Sequence, residues 1–220
     1  MKKGTNKYAI VDLEATSASS TACIIQVGIV IMQNGRVIDE FASDVNPHQK
    51  LDNHIVHLTG ITDQQLSQAP DFSEIARTIF ELIEDCIFVA HNVKFDANLL
   101  AEALFMEGFE LRTPRVDTVE LAQVFYPTLE QYNLSYLSRV LNLDLAQAHT
   151  AIEDARATGK LLLHLMDKIA SLPRQTIDML LTFSDNLLFE SELVIRDAIK
   201  GKTNSLSKEY IMLEESGIVL

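Results

Sequence analysis

Apolar and polar positions along this chain change rhythm twice, and each change marks a different kind of element. Tyr8 to Glu14 (YAIVDLE) is a short apolar run of the kind that forms a central strand, and Cys23 to Gln33 repeats it with more β-branched residues. Asn34 and Gly35 then supply a hairpin turn, and Arg36 to Val45 makes a third strand, so the chain opens as an antiparallel meander. The period next becomes helical. Ser73 to Glu84 places Ile75, Ala76, Ile79, Leu82 and Ile83 on one stripe, and the short strand Ile87 to Ala90 follows. A second helix is expected over Phe95 to Met106, stopped near Gly108. Arg115 to Asp117 reads as a last short strand, with the remainder to about Ile169 wholly helical. Three strands followed by alternating helix and strand predict an α/β domain with a mixed sheet. Pro173 marks a boundary, beyond which Gln175 to Ile199 predicts one or two amphipathic helices bearing Ile177, Leu180, Leu181, Leu187, Leu188 and Leu193. From Gly201 the chain is polar up to an apolar GIVL and reads as a linker or tail.

Composition narrows this picture in two ways. With 220 residues, 47% hydrophobic and 22% charged, the chain has the profile of an ordinary globular protein with one well-buried core and room for an appendage. The basic start MKKGTNKY runs into a strand pattern instead of a signal-peptide apolar stretch, and no segment approaches bilayer-spanning length, which predicts a cytoplasmic location and no membrane partner. Cys23 and Cys86 lie in apolar runs and are expected as reduced, buried thiols, because no zinc-type cysteine and histidine spacing accompanies them. The formal net charge of −13 argues against a nucleic-acid partner, since phosphate binding usually rests on a basic surface. Bound divalent cations would reverse that local sign and admit a phosphodiester.

Candidate chemistry begins at Asp12 and Glu14. Side chains two apart on a strand leave the same face, so both carboxylates point at one spot and repel unless a cation lies between them. An all-oxygen site suits Mg²⁺ or Mn²⁺. A third acid, Asp96, occurs in HNVKFDANLL, where a strand turns directly into a helix; Asn92 as N-cap would set Asp96 on the first turn, at the strand end where α/β sheets gather ligands. His91 and Asn92 read equally well as capping and turn residues. A fourth acid, Asp154, follows His149 in AHTAIEDA. Five helical positions separate side chains by about 140°, so the two would not share a helix face. A capping box between Thr150 and Glu153 resolves this by starting the helix at Thr150, leaving His149 on the connecting segment and Asp154 on the first turn.

Taken in order, DLEAT, HNVKFD and HTAIEDA resemble the DEDDh class of 3′→5′ exonucleases, across roughly Lys7 to Lys168, and LTGIT at Leu58 to Thr62 is a further family-like stretch. That family includes the proofreading subunit and exonuclease domains of bacterial replicative DNA polymerases, and the N-terminal exonuclease region of DinG-type helicases in Gram-positive bacteria. The resemblance implies a ribonuclease-H-like fold, a mixed five-stranded sheet flanked by helices. It implies that Asp12, Glu14, Asp96 and Asp154 hold two divalent cations, Mg²⁺ or Mn²⁺, about 4 Å apart with Asp12 shared between them, and that His149 is the general base. Thr16, Leu58, Thr59, Ile61, His91, Asn92 and Phe95 would contact the nucleotide, although on composition alone Phe95 reads as core. One departure from the family is Ser17, which follows Thr16 where the family usually has glycine.

The expected activity is release of nucleoside 5′-monophosphates from the 3′ end of single-stranded DNA. Residues 7–170 would form the exonuclease domain, 171–200 a helical extension like the connector after the exonuclease in DinG-type proteins, and 201–220 a polar linker or tail. Two other readings keep the fold: an RNA exonuclease acting on short oligoribonucleotides, and a non-catalytic nucleic-acid-binding module. The second predicts loss of an acid or of His149, and none is lost. A fused helicase or polymerase module is an expected partner. No Gly-rich Walker loop occurs in these residues, so ATP hydrolysis is not expected of this chain.

Overall fold

A computed structural model describes residues 6–17, 22–143, 150–184 and 187–200. Five strands form one sheet: β1 (Lys7–Ala15), β2 (Ile24–Gln33), β3 (Arg36–Asp44), β4 (Ile87–Ala90) and β5 (Arg115–Asp117), in the order β3-β2-β1-β4-β5. β1, β2 and β3 pair antiparallel, whereas β4 joins β1, and β5 joins β4, in parallel. The expected mixed five-stranded sheet flanked by helices is thus the observed one. Asn34 and Gly35 turn the β2–β3 hairpin with φ of 53° and 70°, the pair of positive values that a type I′ turn demands.

The helices are α1 (Asn53–Thr59), α2 (Asp63–Leu66), α3 (Phe72–Ile83), α4 (Val93–Met106), α5 (Thr118–Phe125), α6 (Leu134–Val140), α7 (Ala151–Ala170) and α8 (Arg174–Phe183). Strand alternation divides the core between the two faces of the sheet. Ala9, Val11, Val27 and Ile29 face α3 and α4, and Tyr8, Ile10, Val30 and Met32 face α5, α6 and α7. Both sets are buried, which is why β1 and β2 read as continuous apolar runs.

Two expectations are corrected, and two short helices are additional. The stretch from Thr118 to Ile169 is not wholly helical: Pro127 keeps Tyr126 out of the helical region (φ −135°, ψ 58°) and separates α5 from α6. The short helices α1 and α2 arise where no periodicity announced them. Cys23 stands half-buried just before β2, and Cys86 is buried; both are free thiols. A further helical stretch at 192–200 packs Val194, Ile195 and Ala198 into the same cluster as the sheet, and Asp197 accepts hydrogen bonds from Tyr8 Oη and Asn6 Nδ2, each at 2.8 Å. Among the described residues no helix is long and apolar enough to cross a membrane.

Candidate active site

β1 carries Asp12 and Glu14 on one face, as strand periodicity requires, and β2 sets Gly28 opposite Asp12 and Gln26 opposite Glu14. Gly28 is what lets the third acid arrive. A Cβ there would lie 2.2 Å from the carbonyl carbon of Ala151, so only glycine allows the start of α7 to rest directly on the strand. From that seat the first turn of α7 presents Asp154, and one carboxylate oxygen from each of Asp12, Glu14 and Asp154 lies within 4.8 Å of the others. All three residues are half-buried.

Asp96 reaches the same place from the other side of the sheet. It sits on the first turn of α4, is 5% exposed, and its Oδ1 accepts a hydrogen bond from the Leu13 N–H at 3.0 Å, bracing β1 between Asp12 and Glu14. Asp96 is not one of the three acids that share a single cation position, yet it belongs to the same electrostatic unit. Burial first, then the charges of Asp96, Asp154 and Glu14, hold the Asp12 carboxyl well above the ordinary aspartate range. Burial likewise raises Asp96 to about 7, against the opposing pull of backbone N–H donors including Leu13. Asp12, Glu14 and Asp154, an all-oxygen set beside buried Asp96 in which the Asp12 carboxyl is pushed up by burial and by its acidic neighbours, fit a hard divalent cation, which would relieve both the repulsion and the desolvation. Three of the four candidate acids thus share one position, and Asp96 stands beside it.

His149 lies outside the described residues. The helix that follows it does begin after Thr150, in extended conformation, but the reciprocal capping box is absent: Thr150 makes no side-chain cap and Glu153 pairs with Arg156. The α7 N-terminus is instead satisfied across the sheet, where Ala151 N–H donates to Gln26 Oε1 at 2.8 Å. Asn92 is likewise the N-cap of α4 by position only. It adopts a left-handed conformation (φ 79°, ψ 57°), makes no side-chain cap, and its N–H donates to Asp117 Oδ1 at 3.0 Å.

A cleft of about 410 Å³ opens beside Glu14, lined by Thr16, Ile55, Leu58 and Phe95 among others. Three of the residues expected at the nucleotide, Thr16, Leu58 and Phe95, meet here, and Leu58 is 63% exposed. The others do not line it. Ile61 is buried beneath with Ile25, Leu51 and Leu66, and Thr59 Oγ1 donates to Ile55 O and accepts from Ile61 N–H, shaping the end of α1. His91 is held by both ring nitrogens, Nε2 donating to Tyr132 O at 2.8 Å and Nδ1 hydrogen-bonded with Thr118 Oγ1 at 2.9 Å. Burial pushes its pKa down, keeping it neutral and pinning the β4–α4 turn. Gln26, Gly28 and Asp117 escape a reading of the sequence because their partners are distant along the chain. Only the glycine within an unbroken β-branched run hints at a close approach.

A family model described as Exonuclease (RNase_T) matches residues 9–162. The Staphylococcus aureus (strain USA300) protein named 3′-5′ exonuclease DinG is 35% identical over 215 residues, which cover 96% of this chain and 24% of the relative. Among solved structures, the nuclease domain of 3′hExo, a DEDDh family member bound to rAMP, superposes with a TM-score of 0.64 at 16% identity, covering 76% of this chain and 94% of that one. E. coli Exonuclease I in complex with a dT13 oligonucleotide gives a TM-score of 0.66 at 16% identity, over 81% of this chain and 44% of that one. These two likenesses concern the fold, the ribonuclease-H-like sheet with its flanking helices. The chain spans about a quarter of the length of the staphylococcal relative.

Proposed function

Because the chain belongs to the exonuclease family, we propose that it is a metal-dependent 3′→5′ exonuclease that releases nucleoside 5′-monophosphates from the 3′ end of single-stranded DNA. The observation that carries this reading is the convergence of Asp12, Glu14 and Asp154 within 4.8 Å, beside buried Asp96 and at the mouth of a cleft of nucleotide size. Asp12, Glu14 and Asp154 would hold Mg²⁺ or Mn²⁺, with Asp96 completing a second position. When bound, two such ions supply charge stabilisation for the attacking and leaving oxygens of an in-line displacement.

The residues of the chain do the rest. Leu58 and Phe95 hold the terminal base and sugar against the cleft wall, with Thr16 at its polar end, so that the scissile phosphate reaches the carboxylates. His149 takes a proton from the attacking water as the new P–O bond forms and the bond to the 3′ oxygen of the preceding nucleotide breaks; an imidazole with a pKa of about 6.5 accepts it at neutral pH. The site residues His91 and Asn92 act by fixing the turn that delivers Asp96. Residues 7–170 form the exonuclease unit and 171–200 its helical extension, in a cytoplasmic protein. The identity with a relative four times longer supports an assignment to the exonuclease portion of a DinG-type protein, next to a helicase module.

Single-stranded DNA labelled at the 5′ end should shorten in a ladder with Mg²⁺ or Mn²⁺, and the same strand labelled at the 3′ end should lose its label at once as a mononucleotide. Asp12→Asn should reduce both by about a thousandfold or more while leaving the chain folded, because an amide cannot balance cation charge. Internal fragments, or the reverse polarity, would overturn the proposal. Faster digestion of RNA of equal length would move it to the ribonuclease reading, which a structural relative bound to rAMP makes the second choice.

A further inference from the structure

The start of α7 is held by a lateral chain of side chains that the catalytic reading does not use. Gln26 Oε1 accepts from Ala151 N–H at 2.8 Å, while the other end of the same amide, Nε2, donates to Asp44 Oδ1 at 2.8 Å. Asp44 Oδ2 in turn accepts from Gln65 Nε2 at 2.7 Å. The orientation of the Gln26 amide follows from its neighbours. A backbone N–H only donates and a carboxylate only accepts, so oxygen must face α7 and nitrogen must face β3. Register places this chain on the metal side of the sheet, since Gln26 is paired with Glu14 on one flank and with Asp44 on the other. Gly28, two residues along, is the surface on which Ala151 rests.

We propose that Gln26 is a positioning residue: its carboxamide, clamped by Asp44, fixes the first turn of α7 to β2 and so sets the distance of Asp154 from Asp12 and Glu14. A helix N-terminus leaves its first N–H groups unsatisfied, and the usual local remedy is a side chain at the N-cap. Here Thr150 makes no such bond. The cap comes from the strand that carries the partner of Glu14, so that helix and acids share one frame. The assignment of Asp154 to a metal site rests on the exonuclease reading, whereas the anchoring itself does not.

The polarity of the chain supplies a test. Gln26→Glu keeps an oxygen for Ala151 but sets it against Asp44, and Asp44→Asn leaves one of the two glutamine amides without an acceptor. The double variant Q26E/D44N restores every bond, with donor and acceptor exchanged only between positions 26 and 44, at unchanged net charge. Hydrogen–deuterium exchange over 150–158 should quicken in each single variant and return to the original rate in the double. In direct Mn²⁺ titrations, half-saturation should rise about tenfold in the single variants and recover in the double, the scale expected for groups that orient metal ligands. Unchanged exchange in the single variants, or no recovery in the double, would overturn the inference. So would altered exchange with unchanged Mn²⁺ affinity, which would make Gln26 a structural cap alone. A native chain that binds no Mn²⁺ would sink the exonuclease reading, while the exchange pattern would still report whether the anchor exists.

Discussion

At the scale of single residues the site is defined by carboxyl groups held away from their ordinary titration. Asp96, raised to about 7 chiefly by burial, is the clearest. Its proton affinity in the fold exceeds that in the unfolded chain, where aspartate titrates at about 4. The native state therefore binds the extra proton between those values, and stability falls as pH rises through them. Asp12 acts in the same direction. Glu40, held lower by Arg156, adds a slope of the opposite sign, confined to the acid end of this window where the unfolded glutamate titrates. The metal-free chain should melt at a higher temperature at pH 5 than at pH 8, and Asp96→Asn, which keeps an acceptor for Leu13, should flatten the difference. Calorimetry with and without chelator measures both, and a melting temperature that rises from pH 5 to 8 would contradict the assignment. The acids were legible in the sequence because each lies at a strand end or a helix start, where local pattern fixes direction. The bonds of His91 to Thr118 and Tyr132 were not legible, since nothing local to His91 announces partners so far along the chain.

At the scale of elements, the informative contact is α7 on β2. Strand periodicity, the Asn-Gly turn and the stripe of α3 each predict their element within a residue or two, because their signals are local. The start of α7 shows the opposite case: the Thr150 and Glu153 pattern marks the right position, yet Arg156 claims Glu153 and a strand residue supplies the cap. A local motif loses when tertiary partners offer better geometry. Gly28→Ala would drive a methyl group into the Ala151 backbone, which has no flexible end to yield. Overpacking of this kind costs about 3 kcal/mol, and for a domain of this size that lowers the melting temperature by roughly 6–12 °C. Nuclease activity should fall further than the folded fraction does, because Asp154 moves with the helix. A variant with unchanged melting and turnover would show that α7 does not rest on this glycine.

At the scale of the whole molecule, charge is the controlling quantity. A net charge of −13 gives a DNA strand little reason to approach unless cations first occupy the acidic cluster. Binding of an uncleavable phosphorothioate strand should therefore weaken at least tenfold on chelation, which anisotropy titrations would measure; equal affinity in chelator would mean that some basic surface holds the strand. The hydrogen bond from Leu13 to Asp96 has a consequence of its own. β4 runs beside β1 only as far as Ile10, so the Leu13 amide depends on a side chain where its neighbours depend on a strand. One oxygen of that carboxyl serves the backbone, and its charge is felt by Asp12. Were a cation held by the neighbouring acids, its removal would be felt at the strand tip, and the Leu13 amide resonance would report it.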